Sequence, residues 1–194
     1  MLGLWKMSEA LTVHPDLLVE ARHLFRSSAR QREYVCVRLL LREMLGREDF
    51  SIQHLETGKP LLVGDPRTLS ISHTRGYCAV LLTNACGGVD IEMRNPRVDN
   101  VADRYMRPDE NADSTTARLA IWCAKETIYK MFSEEELHFM RMKIVLNDDF
   151  HRLANRHEYG NVLIRGYNLL REVEVPIYCE LTKDYVLTYS IFQE

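Results

Sequence analysis

The chain has 194 residues, 46% of them hydrophobic and 27% charged, with a net charge of −3. That is enough for a proper core in one large domain or two small packed halves, and the slight negative charge excludes a general attraction to nucleic acid or an anionic membrane. No apolar run reaches membrane-spanning length, Met1 to Trp5 is too short for a signal-peptide core, and five scattered cysteines without a CxxC pair read as reduced thiols of a cytoplasmic protein.

In chain order, Leu2 to Met7 reads as a short first strand ended by Ser8 and Glu9. From Pro15 to Leu45 apolar positions recur at helical spacing, with Ser27 and Ser28 as a break and Gly46 as a cap. Six arginines of this region, among them Arg38, give an acidic protein one basic surface. Ser51 to Leu55 reads as a strand, Thr57 to Pro60 as a turn and Gly64 to Pro66 as another. In Leu69 to His73, alternation puts Leu69, Ile71 and His73 on one face and Ser70 and Ser72 on the other. Tyr77 to Thr83 and Gly88 to Ile91 complete a run of strands without crossover helices, which predicts antiparallel pairing.

Pro96 and its polar surroundings read as a hinge. A helical stretch over Asp99 to Tyr105 precedes a helix over Thr115 to Phe132, and strands follow at Met142 to Leu146, Asn161 to Arg165, Glu174 to Cys179 and Tyr185 to Phe192. Helices before strands in both halves predict an α+β chain of two similar lobes, 1–97 and 98–194, each with helices on a small, mostly antiparallel sheet and with the active site between them.

The chemistry centres on two acidic clusters. Trp122, Glu126 and Lys130 stand four apart on one helix face, and Asp90 and Glu92 fall on one side of a strand. For any single instance, a carboxylate one turn from an ammonium is an ordinary surface pair. Three convergent carboxylates, however, supply oxygen ligands for a hard cation such as magnesium. Without a metal, two like charges 4 Å apart repel by about 4 kcal/mol at an effective dielectric near 20. Lys59, His73, Lys125 and Lys130 would suit an anionic substrate, and the whole describes a phosphoryl-transfer or pyrophosphate-cleaving site.

Four blocks, in order, make the chain resemble the 4'-phosphopantetheinyl transferases, in particular the longer monomeric type that activates peptide and polyketide synthases. They are Gly58-Lys-Pro60, Ser70-Ile-Ser-His-Thr74, Gly88-Val-Asp-Ile-Glu92 and Trp122-Cys-Ala-Lys-Glu-Thr-Ile-Tyr-Lys130. Val37-Arg38, Arg104 to Glu110 and the closing Asp184 to Ser190 add thinner support. The resemblance implies that Asp90, Glu92 and Glu126 hold magnesium, with manganese as a substitute. Lys59 and Arg38 would meet the 3'-phosphate and adenosine end of coenzyme A, with Pro60 shaping the adenine pocket. Ser72 and His73 would contact the phosphates, Lys130 would face the pyrophosphate and Glu126 would serve as general base. The implied reaction moves phosphopantetheine from coenzyme A to a serine of an apo acyl or peptidyl carrier protein. Taken alone, His73 is equally a core histidine and Lys59 a turn lysine; only the motif register singles them out.

The interval from Asp90 to Glu126 is shorter than the type predicts, the difference falling around Asn111 to Thr116 near the expected carrier-docking region. Thr127 stands where a smaller residue is usual. Two other readings remain open at this point: a coenzyme A-binding regulator without turnover, and a magnesium-dependent phosphohydrolase.

Overall fold

The computed structural model describes residues 1–7, 15–135 and 137–193. Strand β1 spans Leu2–Lys6; Ser8 and Glu9, read as its end, lie outside the described residues. The long helical run divides where the serines stand, into α1 (Pro15–Leu24) and α2 (Ser28–Leu45). Gly46 closes α2 in the left-handed conformation (φ 65°) and donates its N–H to the Arg42 carbonyl, a geometry that glycine adopts without the steric cost of a Cβ. β2 (Ile52–His54) and β3 (Pro60–Leu62) form a hairpin, followed by β4 (Thr68–Thr74), β5 (Tyr77–Thr83) and β6 (Cys86–Met93).

Beyond Pro96 a 3-10 turn and the single-turn α3 (Ala102–Tyr105) lead to α4 (Thr115–Met131), whose N-cap Ser114 accepts from the Ala117 N–H. β7 (Met142–Val145), β8 (Gly160–Asn168), β9 (Val173–Leu181) and β10 (Tyr185–Phe192) complete the strands. The strand-by-strand reading passes over one helix, α5 (Asp148–Asn155). Its start is marked by Asn147 accepting from the Phe150 N–H and by Asp148 and Asp149 in the first turn, both favourable at the positive end of a helix. Among the described residues no helix is long and apolar enough to cross a membrane.

All strand pairings among the described residues are antiparallel. One sheet has the order β1-β5-β4, a second the order β6-β10-β9-β8-β7, and β2 pairs with β3. The protein is therefore a mixed α and β chain of helices on antiparallel sheets. β6 pairs along its whole length with the last strand of the chain, Cys86 opposite Phe192 and Met93 opposite Tyr185. Alternation then sorts side chains into layers. Cys78, Val80 and Leu82 of β5 join a core with α1 and α2, while Ala79 and Leu81 meet Val89, Ile91 and Leu187 of the second sheet. Ile121, Ala124 and Ile128 of α4 close a third core over Ile144, Ile164 and Ile177.

Two contacts of β6 fix the centre of the molecule. On one side it meets β4, an edge strand of the other sheet, through side chains. The hydroxyls of Ser70, Ser72 and Thr74 accept the N–H groups of Val89, Ile91 and Met93 at 3.1, 3.3 and 3.3 Å. On the other side it meets α4. A Cβ on Gly88 would lie 2.3 Å from the Thr127 carbonyl oxygen and 2.8 Å from the Met131 Cγ, so the helix backbone rests directly on the strand. Gly88→Ala must push the two apart. Overpacking of this kind costs roughly 1–3 kcal/mol, and we expect a urea midpoint lowered accordingly with the two-state character retained.

Candidate active site

Because β6 alternates, Asp90 and Glu92 project from the same side as Gly88, toward α4. Asp90 is buried, and its Oδ1 accepts from Lys130 Nζ at 2.7 Å and from Ser72 Oγ at 2.7 Å. Lys130 also donates to the Val89 carbonyl at 3.1 Å. Asp90 Oδ2 is buried and has no hydrogen-bond partner among the described residues. The Trp122 indole donates to Glu92 Oε1 at 3.1 Å, its ring wedged between Tyr105 and Phe139 at centroid distances of 5.1 and 5.2 Å. Glu126, half-buried on the same helix face, feels the charges of Asp90, Glu92 and Lys130. Lys130 thus does not make the simple surface pair that its spacing from Glu126 permits; it crosses to the strand.

Crowding shows in the protonation equilibria. Burial, then the Asp90 charge, pushes the Glu126 carboxyl from the usual 4.5 up to about 7, with Lys130 opposing and Glu92 reinforcing. Burial and the Asp90 charge raise Glu92 as well, against hydrogen bonds from Trp122 and Thr74. Among the described residues, no three His, Cys, Asp or Glu side chains are gathered tightly enough to form a metal cluster as they stand. Asp90 is engaged by an ammonium and Glu92 by an indole. The donor set nonetheless fits a hard divalent cation: three oxygen-bearing side chains, one buried oxygen left bare, and two carboxyls whose ionisation is held back by burial and by the neighbouring Asp90 charge.

The remaining expected residues divide between two neighbouring pockets. Lys59 and Pro60 share a pocket of about 210 Å³ with Glu126 and Lys130, and Arg38 and His73 share one of about 200 Å³ with Tyr34. Ile71 lines both. Larger cavities adjoin them, one of about 560 Å³ at Lys59 and one of about 780 Å³ at Glu126. His73 Nδ1 lies 3.5 Å from Glu33 Oε1, and Arg30 Nη1 lies 3.5 Å from its Nε2. Burial lowers its pKa, Glu33 opposing and Arg30 and Lys130 adding to the effect, which favours the neutral imidazole. Arg38 stacks 3.3 Å over the Tyr34 ring, and Lys59 Nζ sits 3.6 Å from Glu134 Oε1. Ser72, expected at the phosphates, is buried under Asp90 instead.

One cation has to be moved out of the site. Lys125, expected beside an anionic substrate, is fully buried on the far side of α4. Its ammonium donates to Glu110 Oε2 at 2.8 Å and to the carbonyls of Tyr105 and Phe139 at 2.7 and 3.2 Å. Glu110 in turn accepts from the Arg107 and Ile144 N–H groups at 2.7 and 2.8 Å. The signal was present in the spacing: Lys125 stands four after Ile121 and three before Ile128, on the apolar stripe, one step around the helix from Glu126. Glu110 and the Trp122–Glu92 hydrogen bond carry no such mark, since both depend on how distant segments meet.

Two measurements follow. Lys125→Met strands a buried carboxylate, which typically costs about 3–5 kcal/mol; we expect that loss in denaturant titrations, with much of it recovered in Lys125→Met/Glu110→Leu. A substrate-facing lysine would instead lose ligand affinity at little cost in stability. For Glu126, between pH 4.5 and about 7 the folded chain holds a proton that the unfolded chain has released, so stability falls as pH rises through that window. His73 works in the opposite sense, because its pKa is lowered. Urea midpoints measured in chelator should therefore fall less from pH 5 to 8 in Glu126→Gln than in the unaltered chain.

The family model described as the 4'-phosphopantetheinyl transferase superfamily matches residues 87–190. That stretch, more than half of the 194 residues, runs from β6 through most of β10 and includes Asp90, Glu92, Glu126 and Lys130. No curated protein matches the chain. Coenzyme A is the superfamily's substrate and carrier proteins are its acceptors. On the match to residues 87–190, the chain belongs to the 4'-phosphopantetheinyl transferase superfamily.

Proposed function

We propose that this chain is a holo-[carrier protein] synthase of the longer, monomeric type, acting in the cytoplasm. It moves the phosphopantetheine arm of coenzyme A to a serine of an apo acyl or peptidyl carrier protein and releases 3',5'-ADP. The observation that carries the reading is the meeting of β6 and α4, which gathers Asp90, Glu92, Glu126 and Lys130 within the matched stretch. The same reading divides the chain into similar lobes, 1–97 and 98–194. Its support is that one core is built from residues 7–82 and another from 98–186.

In this reading Asp90, Glu92 and Glu126 hold magnesium, which supplies positive charge to the pyrophosphate. Lys59, Arg38 and His73 bind the nucleotide end across the two pockets that meet at Ile71, with Pro60 against the adenine. The serine oxygen forms the new bond to phosphorus as the bond from phosphorus to the ADP oxygen breaks. The serine proton passes to Glu126. In this reading Lys130 neutralises charge that grows on the departing ADP, so its interaction strengthens toward the transition state.

The test is incubation with coenzyme A, magnesium and apo-carriers of the acyl, polyketide and peptidyl types, read by mass spectrometry. One serine should gain the phosphopantetheine mass as 3',5'-ADP appears. Release of phosphopantetheine without a carrier would mark a hydrolase, and coenzyme A binding without product a regulator. Asp90→Ala should be inactive with the fold retained, and excess chelator should silence the unaltered chain until magnesium or manganese is returned. Glu126→Gln should lose about 10²–10⁴ in rate. Lys130→Ala should lose more in turnover at saturation than in coenzyme A affinity; the reverse would reduce Lys130 to a phosphate anchor.

A further inference from the structure

The hydroxyl contacts between β4 and β6 do more than join two sheets. Each of the three hydroxyls accepts one backbone N–H from β6, the partners advancing two by two from Val89 to Ile91 to Met93. An accepting hydroxyl still has its own proton to give. Ser72 gives its proton to Asp90 Oδ1, at 2.7 Å. Thr74 stands one repeat further on, where its hydroxyl accepts the Met93 N–H at 3.3 Å. Ser70 stands one repeat earlier, where the residue in question is Gly88 and there is no side chain to receive a proton.

The result at Asp90 is asymmetric. Oδ1 takes both the Ser72 hydroxyl and the Lys130 ammonium, while Oδ2, equally buried, is left bare. Ser72 is itself 6% exposed and anchored to the Ile91 N–H, so it has no water to turn to and holds the carboxylate plane from one fixed side. A carboxylate pinned by one oxygen presents the other at a set angle, which is what a ligand to a cation of strict geometry requires.

We infer that Ser72 is a positioning residue for the acidic centre: it pins Asp90 from the β4 side so that the free carboxylate oxygen is aimed at the divalent cation. The inference rests on the metal reading above. It assigns to Ser72 a place behind the ligand rather than a contact with the substrate's phosphates. It also ties the sheet-to-sheet seam to the reaction, since anything that shifts β4 along β6 turns the Asp90 carboxylate.

The experiment titrates manganese into the chelator-stripped full chain and counts free ion by electron paramagnetic resonance, so that binding is read without turnover. Ser72→Ala should bind about 10–100-fold more weakly, the usual cost of losing a ligand's hydrogen-bonding partner. Ser72→Cys keeps the volume with a poorer donor and should show the same direction of change should Ser72→Ala fold badly. Ser70→Ala loses the same kind of N–H contact without a carboxylate behind it, so it should lower the urea midpoint and leave manganese affinity unchanged. Equal affinity in Ser72→Ala, Ser72→Cys and the unaltered chain would overturn the inference while leaving the transferase reading intact. No uptake by the unaltered chain would overturn the metal reading and this inference together. Parallel losses of affinity in Ser70→Ala and Ser72→Ala would reduce the ladder to a structural seam and overturn the inference as well.

Discussion

Everything at the centre of this protein follows from the direct contact of α4 with β6 at Gly88. A strand repeats a side every two residues, about 6.6 Å, and a helix returns to a face every four, about 6 Å. The two rulers nearly agree, so a helix laid against a strand can match it residue for residue over two or three steps. Trp122 stands by Glu92 and Thr127 by Gly88, so the elements run in opposite directions. Helical side chains lean toward the N-terminus, and Lys130 accordingly reaches back to Asp90 rather than onward. Any side chain at position 88 would lift the helix and lengthen every one of these contacts.

The same helix separates two treatments of charge in neighbouring residues. Lys125 has all three of its protons placed, on Glu110 and on two carbonyls, in a site without solvent. Such a pair stabilises little relative to a well-packed apolar alternative, but it is costly to break. It also ties α4 to the segments around Tyr105, Glu110 and Phe139, and two of these supply the rings that hold Trp122. Glu126, one residue on, has like charges for neighbours and a proton held to about pH 7. One group is fully paired and builds; the other is crowded by like charge. A fold tolerates such a residue where chemistry rather than stability is served.

The sequence exposed what depends on local period and hid what depends on partners. The β4 alternation put Ser70 and Ser72 opposite Leu69, Ile71 and His73, and that is their arrangement, because a strand's faces are set by its own backbone. The break at Ser27, the Gly46 cap and the span of α4 were equally legible. Nothing local told that β6 would join β10, or that Ser72 would spend its hydroxyl on Asp90. α5 was missed although Asn147-Asp-Asp is a strong start signal, since its eight residues are too few for a period to stand out. Lys125 was misplaced by its charge: the stripe it occupies is apolar, and only a buried carboxylate delivered by Glu110 makes a lysine acceptable there.

The β4–β6 seam shows why side-chain hydrogen bonds stand where a backbone ladder would be expected. β6 already commits one edge to β10 along its full length. A second ladder to β4 on its other edge would fuse the two sheets into one, and β4 and β5 could not then face back across Val89 and Ile91. Hydroxyls stand further out from the backbone than carbonyls do, so they satisfy the free N–H groups of an edge strand while holding the strands one side chain apart. The offset also turns the outer side of β6 toward both α4 and β4 at once. Asp90 is therefore reached from the helix by Lys130 and from the other sheet by Ser72, and no single-sheet arrangement would bring those two donors to one carboxylate oxygen.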